Sequence, residues 1–155
     1  MESRMLQLIL AAVALLFLVI AAGCTGSGAG MRMWIFGHRV KTGGDLPVDQ
    51  WKSKTGFGDA LPARFFMFIT ELLFILGAMV LIAIRVTKKY MYIPELPISA
   101  SGAVLCSISG ALEAWYASGD ALDPLTADGW AAASFFLFTT SIIFAVDAFL
   151  TFRAK

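Results

Sequence analysis

The sequence predicts an all-α membrane protein, a four-transmembrane-helix bundle with a long first extracellular loop. Three observations carry that prediction. Hydrophobic residues make up 59% of the chain and charged residues 15%, with a mean hydropathy of +0.78, values that lie outside the soluble class. Four apolar runs, 5–23, 65–84, 96–118 and 130–152, are each long enough to cross a bilayer at about 1.5 Å per residue. The charges fall in blocks between those runs. The 155 residues make room for a single bundle domain, 1–155, and no separate soluble one. A net charge of +1 argues against a nucleic-acid partner, leaving the lipid bilayer and other membrane proteins.

The first run, 5–23, has no charge and Gln7 as its polar residue. It reads as a spanning helix. Arg4, the apolar run and the ending Ala21-Ala22-Gly23-Cys24 also resemble a bacterial lipoprotein signal, with Cys24 as the lipidated residue. The run exceeds the usual signal core of about 7–15 residues, so a retained helix is the expectation.

Residues 24–63 form the long polar segment. A Gly/Ser-rich spacer, 25–30, is followed by aromatics mixed with charge, and Gly43, Gly44, Asp45 and Pro47 mark turns. Trp34, Phe36, Trp51 and Phe57 are large apolar groups in this polar setting, and they are the candidates for interaction through the outer loop or with the membrane interface. The segment has room for short β-strands around 32–40. His38, the one histidine, has no companion ligand and reads as a loop residue.

The second span, 65–84, is closed by Arg85 and interrupted by Glu71; Thr70, Glu71, Gly77 and Ala78 mark its inward face. A short link with Lys88 and Lys89 follows, and Pro94 and Pro97 bracket the start of the third span. That third span, 96–118, is built from small residues. Gly102, Cys106, Gly110 and Ala114 fall four apart, with Ala103, Ser107 and Ala111 in a second row beside them. On a helix these make smooth stripes that neighbours can approach closely, so this span is expected at the centre of the packing. A short acidic turn leads to the fourth span, 130–152, rich in phenylalanine with Ser141, Ala145 and Ala148 on a smoother side.

Orientation follows from charge placement. With both termini inside, each side holds six Lys or Arg, a tie. Long loops cross largely regardless of charge, which leaves the short ones to decide. The 85–95 link is basic and the 119–129 turn has no Lys or Arg, so both termini are expected in the cytoplasm.

Three carboxylates fall within spans: Glu71, Glu113 and Asp147. Glu71 and Glu113 sit at similar depths, roughly 7–11 Å below the outer surface, and are placed to meet. Asp147 lies toward the inner side, within reach of a snorkelling Arg153 or Lys88. Two like acids can share a proton or hold a cation. They can equally act as protonated, hydrogen-bonded glue between helices, which is the favoured reading here.

No nucleophile–base set, phosphate-binding glycine loop or metal-ligand cluster is present, so no enzyme, cofactor or metal site is expected. Cys24 and Cys106 lie in different runs and give no reason to expect a disulfide.

Residues 107–114, Ser-Ile-Ser-Gly-Ala-Leu-Glu-Ala, resemble the third helix of MAL-type MARVEL proteins, and 143–150, Ile-Phe-Ala-Val-Asp-Ala-Phe-Leu, followed by Arg153, are similar to the fourth. The second span around Thr70 and Glu71, together with Asp147, looks closer to insect snakeskin-type septate-junction proteins, which share the four-span layout. The resemblance covers residues 60–155. The first loop is long for MAL-type members and lacks the Trp and paired-Cys signature of claudins. The resemblance implies a non-enzymatic protein that organises membrane domains or cell–cell junctions, at the plasma membrane, as a homo-oligomer or with other multi-span proteins. The alternatives are an accessory subunit of a larger membrane complex, a small proton or cation carrier using Glu71 and Glu113, and a lipoprotein-like envelope protein.

Overall fold

The structure, a computed structural model, describes residues 2–26, 60–87, 91–119 and 124–154. Four α-helices account for nearly all of them: α1 (Glu2–Gly26), α2 (Ala60–Val86), α3 (Tyr92–Gly119) and α4 (Pro124–Arg153). Each contains a stretch long and apolar enough to cross a membrane. The expected strands around 32–40, His38 and the loop candidates Trp34, Phe36, Trp51 and Phe57 lie outside the described residues.

Every helix extends beyond its apolar run, and proline explains much of the difference. Pro62, Pro94 and Pro124 all fall in the first turn of a helix, where a missing N–H removes no hydrogen bond. They therefore begin helices that hydropathy alone starts later. Pro97 is different, because it lies inside α3 and leaves the Ile93 carbonyl without its usual donor. Ser101 Oγ donates to the Pro97 carbonyl at 2.6 Å, which ties down the next turn.

Consecutive helices run antiparallel, so both chain termini reach the same end of the bundle, here the terminal end. α1 packs against α2 and α4, and α4 packs most extensively against α3. The α2–α3 seam is looser, and the two diagonals touch least. The core is shared by all four helices: Ala11, Ala14, Leu18 and Ala21 from α1, Phe74, Ala78 and Leu81 from α2, Cys106 from α3, and Leu137 and Phe144 from α4. The alanines of α1 let the large side chains of α2 and α4 meet, and Phe74 and Phe144 lie 5.7 Å apart between ring centroids. A second cluster, Met67, Tyr116 and Trp130, fills the opposite end. Outward positions such as Leu72, Leu76, Met79, Phe135, Ile142 and Phe149 are apolar, as a hydrocarbon surrounding requires.

The α3–α4 interface is where the small residues act. A Cβ built on Gly102 would lie 2.6 Å from the Phe144 ring, so no other residue fits without moving that ring. At Gly110 the nearest atoms, on Leu137 and Phe138, would be 3.4 Å away, which is ordinary contact. This closeness lets hydroxyls on α4 reach backbone carbonyls of α3. Ser134 Oγ donates to the Gly110 carbonyl at 2.8 Å, and Ser141 Oγ donates to that of Ala103.

Gly102, Cys106 and Gly110 are buried, whereas Ala114 is exposed. The helix itself accounts for this correction to the four-residue stripe. Each step of four residues rotates the row by about 40°, so twelve residues carry it about a third of a turn out of the interface. Glu113 and Tyr116 occupy the buried face at that level.

Candidate functional site

Each helix contributes one charged side chain to a cluster at the terminal end: Arg4, Arg85, Glu95 and Asp147 from α1 to α4 in turn. Arg4 donates through Nη1 to Glu95 Oε2 at 2.6 Å and through Nη2 to Oε1 at 3.0 Å, a two-pronged contact that fixes both side chains. Arg85 donates through Nε to Glu95 Oε2 at 3.3 Å and through Nη2 to Asp147 Oδ2 at 2.7 Å. Its Nη1 donates to the Gln7 carbonyl of α1 at 2.6 Å, so one guanidinium touches all three other helices. Ser99 donates to Asp147, the Met91 N–H to Glu95 Oε1 at 3.1 Å, and the Gln7 amide to Thr151 Oγ1 at 3.0 Å.

The side chains of Arg85, Glu95 and Asp147 are at most 1% exposed, and that of Arg4 is 25% exposed. Two cations and two anions make this clasp neutral, which is what lets four charged groups share a buried site. The basic partner of Asp147 among the described residues is therefore Arg85 rather than Arg153. Arg153 instead lies over the Phe149 ring, 5.4 Å from its centroid, and Lys88 is outside the described residues. Arg85, which closes the second apolar run in the sequence, lies in the last turn of α2 and is buried.

At the opposite end Glu71 and Glu113 meet on Thr25. Thr25 Oγ1 lies 2.7 Å from Glu71 Oε1 and 2.9 Å from Glu113 Oε1, joining α1, α2 and α3. A hydroxyl has a single hydrogen to donate. Two full hydrogen bonds are therefore made when Thr25 donates to one carboxylate and the other carboxyl, protonated, donates to the threonine oxygen. All three side chains are buried. Cys24 lies within electrostatic reach of both acids and Cys106 within reach of Glu71, and the two cysteines are not joined by a disulfide.

The two clusters differ in kind. The clasp is closed by opposite charges, whereas Thr25, Glu71 and Glu113 are joined through a hydroxyl and two acids. Among the described residues no group of three His, Cys, Asp or Glu side chains is placed to hold a metal ion. No protein-family model, curated protein or solved structure matches the chain.

Sequence reasoning missed Arg4, Arg85, Glu95, Ser99, Thr25 and Thr151 as members of these clusters. The signal available for the clasp is that Arg4, Arg85, Glu95 and Asp147 fall toward one end of the four helices with signs that sum to zero.

Proposed function

We propose that the chain is a non-enzymatic integral membrane protein that organises membrane domains or cell–cell junctions, with both termini in the cytoplasm. The observation that supports it best is the closure of the clasp. Arg4, Glu95, Arg85 and Asp147 pair with one another inside the bundle and leave its sides apolar, which suits a scaffold that associates laterally. The similarity of 107–114 and 143–150 to MAL-type MARVEL proteins points the same way. On this reading the 27–59 segment, with Trp34, Phe36, Trp51 and Phe57, supplies the outer contact surface.

A second reading, an accessory subunit of a larger membrane complex, is favoured by one feature. Leu73, Gly77, Val80, Ile98 and Leu105 line an apolar groove of about 360 Å³ at the loose α2–α3 seam, a surface that a helix of another subunit would cover.

The test is localisation of a tagged full-length copy in its native cell, with energy transfer between two differently tagged copies. Concentration at cell contacts or in a discrete plasma-membrane domain, with transfer between copies, is expected. An even distribution without transfer sinks the scaffold reading, and co-purification in fixed ratio with a different multi-span protein favours the second.

A further inference from the structure

We propose that the groove at the α2–α3 seam binds one acyl chain of a membrane phospholipid, drawn from the leaflet on the terminal side and held by its distal methylenes. The site does not depend on the scaffold reading, and it conflicts with a second subunit seated on the same surface. Leu73, Leu76, Val80 and Ser101 are exposed at the seam, so the groove opens on the side of the bundle. Phe74 is buried and Gly77 and Ile98 are half-buried, and these three form its floor. A Cβ built on Gly77 would lie 3.1 Å from Ile98 Cγ2. The two helices therefore approach closely at that point, and no α2 side chain stands in the space above it.

Position along the helices sets the medium at the groove's mouth. Both walls belong to stretches long and apolar enough to cross a membrane, Phe66–Val86 and Tyr92–Ser118, so that medium is hydrocarbon. Val80 and Ile98 each lie six residues from the terminal ends of those stretches, Val86 and Tyr92, or about 9 Å along a helix. Leu73 lies thirteen residues from Val86, or about 20 Å. Half of a hydrocarbon core of about 30 Å is about 15 Å, so the groove runs from within the terminal-side leaflet to the middle of the bilayer. That is the depth of the distal part of an acyl chain, well below any headgroup.

The walls also set the chemistry of the occupant. Ser101 carries the one hydroxyl among the lining side chains. Its Oγ lies 2.6 Å from the Pro97 carbonyl oxygen and 3.2 Å from that of Ile98, so its hydrogen is used within α3. The groove thus offers a guest no donor. In lipid no hydrophobic force drives apolar surfaces together, and what a guest gains is van der Waals contact summed along its length. A space left unfilled forfeits that contact on both walls. A helix is about 10–12 Å across with its side chains, so one laid on the rim of Leu73, Leu76 and Val80 enters the groove only at single side chains. A polymethylene chain follows the floor past Phe74, Gly77 and Ile98 and brings no polar group to leave unsatisfied.

The experiment uses the purified full-length protein in phosphatidylcholine vesicles doped with phosphatidylcholine that bears a photoreactive diazirine near the end of one acyl chain. After illumination, peptide mass spectrometry is expected to show several-fold more adduct on Leu73, Leu76 and Val80 than on Ile142 and Val146, exposed residues of α4 at matched depth. A phosphatidylglycerol probe should give the same excess, because the headgroup stays outside the groove. Ser101→Phe fills the groove and should bring its labelling down to the α4 level, whereas Ser101→Ala leaves it open and should keep the excess. Equal labelling of both faces in the unsubstituted protein overturns the proposal, since that describes bulk lipid alone. An excess confined to one headgroup, or seen with a sterol probe alone, overturns it too. Protection of the groove from every probe, with disulfide cross-linking between Ser101→Cys copies, overturns it by placing a second subunit there. Should Ser101→Phe fail to fold, the unsubstituted protein decides by itself: an excess in the groove with both headgroups supports the site, and equal labelling overturns it.

Discussion

Arg85 Nη2 lies 2.7 Å from Asp147 Oδ2 and so joins α2 to α4 across a diagonal of the bundle. Arg4 and Glu95, at 2.6 Å, join α1 to α3 across the other. These diagonals are the helix pairs with least packing between them, so van der Waals contact alone holds them weakly. Arg85 also reaches Glu95 at 3.3 Å and links the two crossings into one network. The arrangement compensates for the loose α2–α3 seam by fixing all four helices at one level.

Removing one member of such a network leaves the opposite charge buried without compensation, at a cost of about 3–5 kcal/mol for a buried pair. Arg85→Met should therefore lower the melting midpoint in detergent sharply, and Asp147→Leu should do so as well. The double variant should be less damaged than the sum of the two, since each change removes the other's orphan. Additive losses would show that Arg85 and Asp147 act independently. Arg85→Lys is not a conservative substitute, because an ammonium cannot replace the three separate contacts of the guanidinium.

The packing of α3 on α4 predicts an order among its glycines. Gly102→Ala places a methyl group 2.6 Å from the Phe144 ring and should destabilise the bundle by about 1–3 kcal/mol, the usual range for overpacking. Gly110→Ala meets its neighbours at 3.4 Å and should be nearly neutral. Adding Phe144→Leu should recover part of the loss at Gly102 by vacating the space. Melting in detergent is the measurement, and equal losses at both glycines would contradict the interface described.

Much of this fold is legible in the sequence, for reasons that are local. Four spans follow from hydropathy, and the small-residue stripe of α3 follows from spacing within one helix. What local pattern does not contain is register between helices. Arg85 ends an apolar run and so reads as a charge at the membrane surface, yet its guanidinium turns inward to Gln7, Glu95 and Asp147. Glu95 lies between two prolines and reads as part of a link, because hydropathy hides that Pro94 begins a helix rather than delaying it. The depth match of Glu71 and Glu113 can be counted from the sequence. The hydroxyl that joins them cannot, because Thr25 follows the first apolar run and reads as the start of the loop.

The orientation proposed for the chain predicts a labelling pattern. In a background with Cys24 and Cys106 replaced, a membrane-impermeant thiol reagent added outside intact cells should modify Thr55→Cys and leave Thr87→Cys untouched. Thr87 is exposed at the terminal end, so shielding by the fold does not account for its protection. Reagent admitted after permeabilisation should then label it. The reverse pattern would place both termini outside.

The triad gives a prediction that reads the proton directly. The contacts of Thr25 at 2.7 and 2.9 Å are both full hydrogen bonds when one carboxyl is protonated, and a carboxylic acid has a C=O stretch distinct from that of a carboxylate. Infrared spectra of the purified protein should show a buried carboxylic acid band that a Glu71→Gln, Glu113→Gln double variant lacks. Each Gln amide can donate to Thr25 as the acid did, so either single Gln variant should keep its melting midpoint. Leucine offers no donor, and Glu71→Leu should cost about 1–3 kcal/mol through the partner left unsatisfied. Thr25→Val removes the bridge while keeping the shape and should destabilise similarly, whereas Thr25→Ser retains the hydroxyl and should not. The ordering matters more than any single value, because a purely apolar contact at this level would rank valine and leucine above serine and glutamine. An acid band that persists unchanged in the double variant would assign the proton elsewhere and remove the basis for treating Glu71 and Glu113 as one unit.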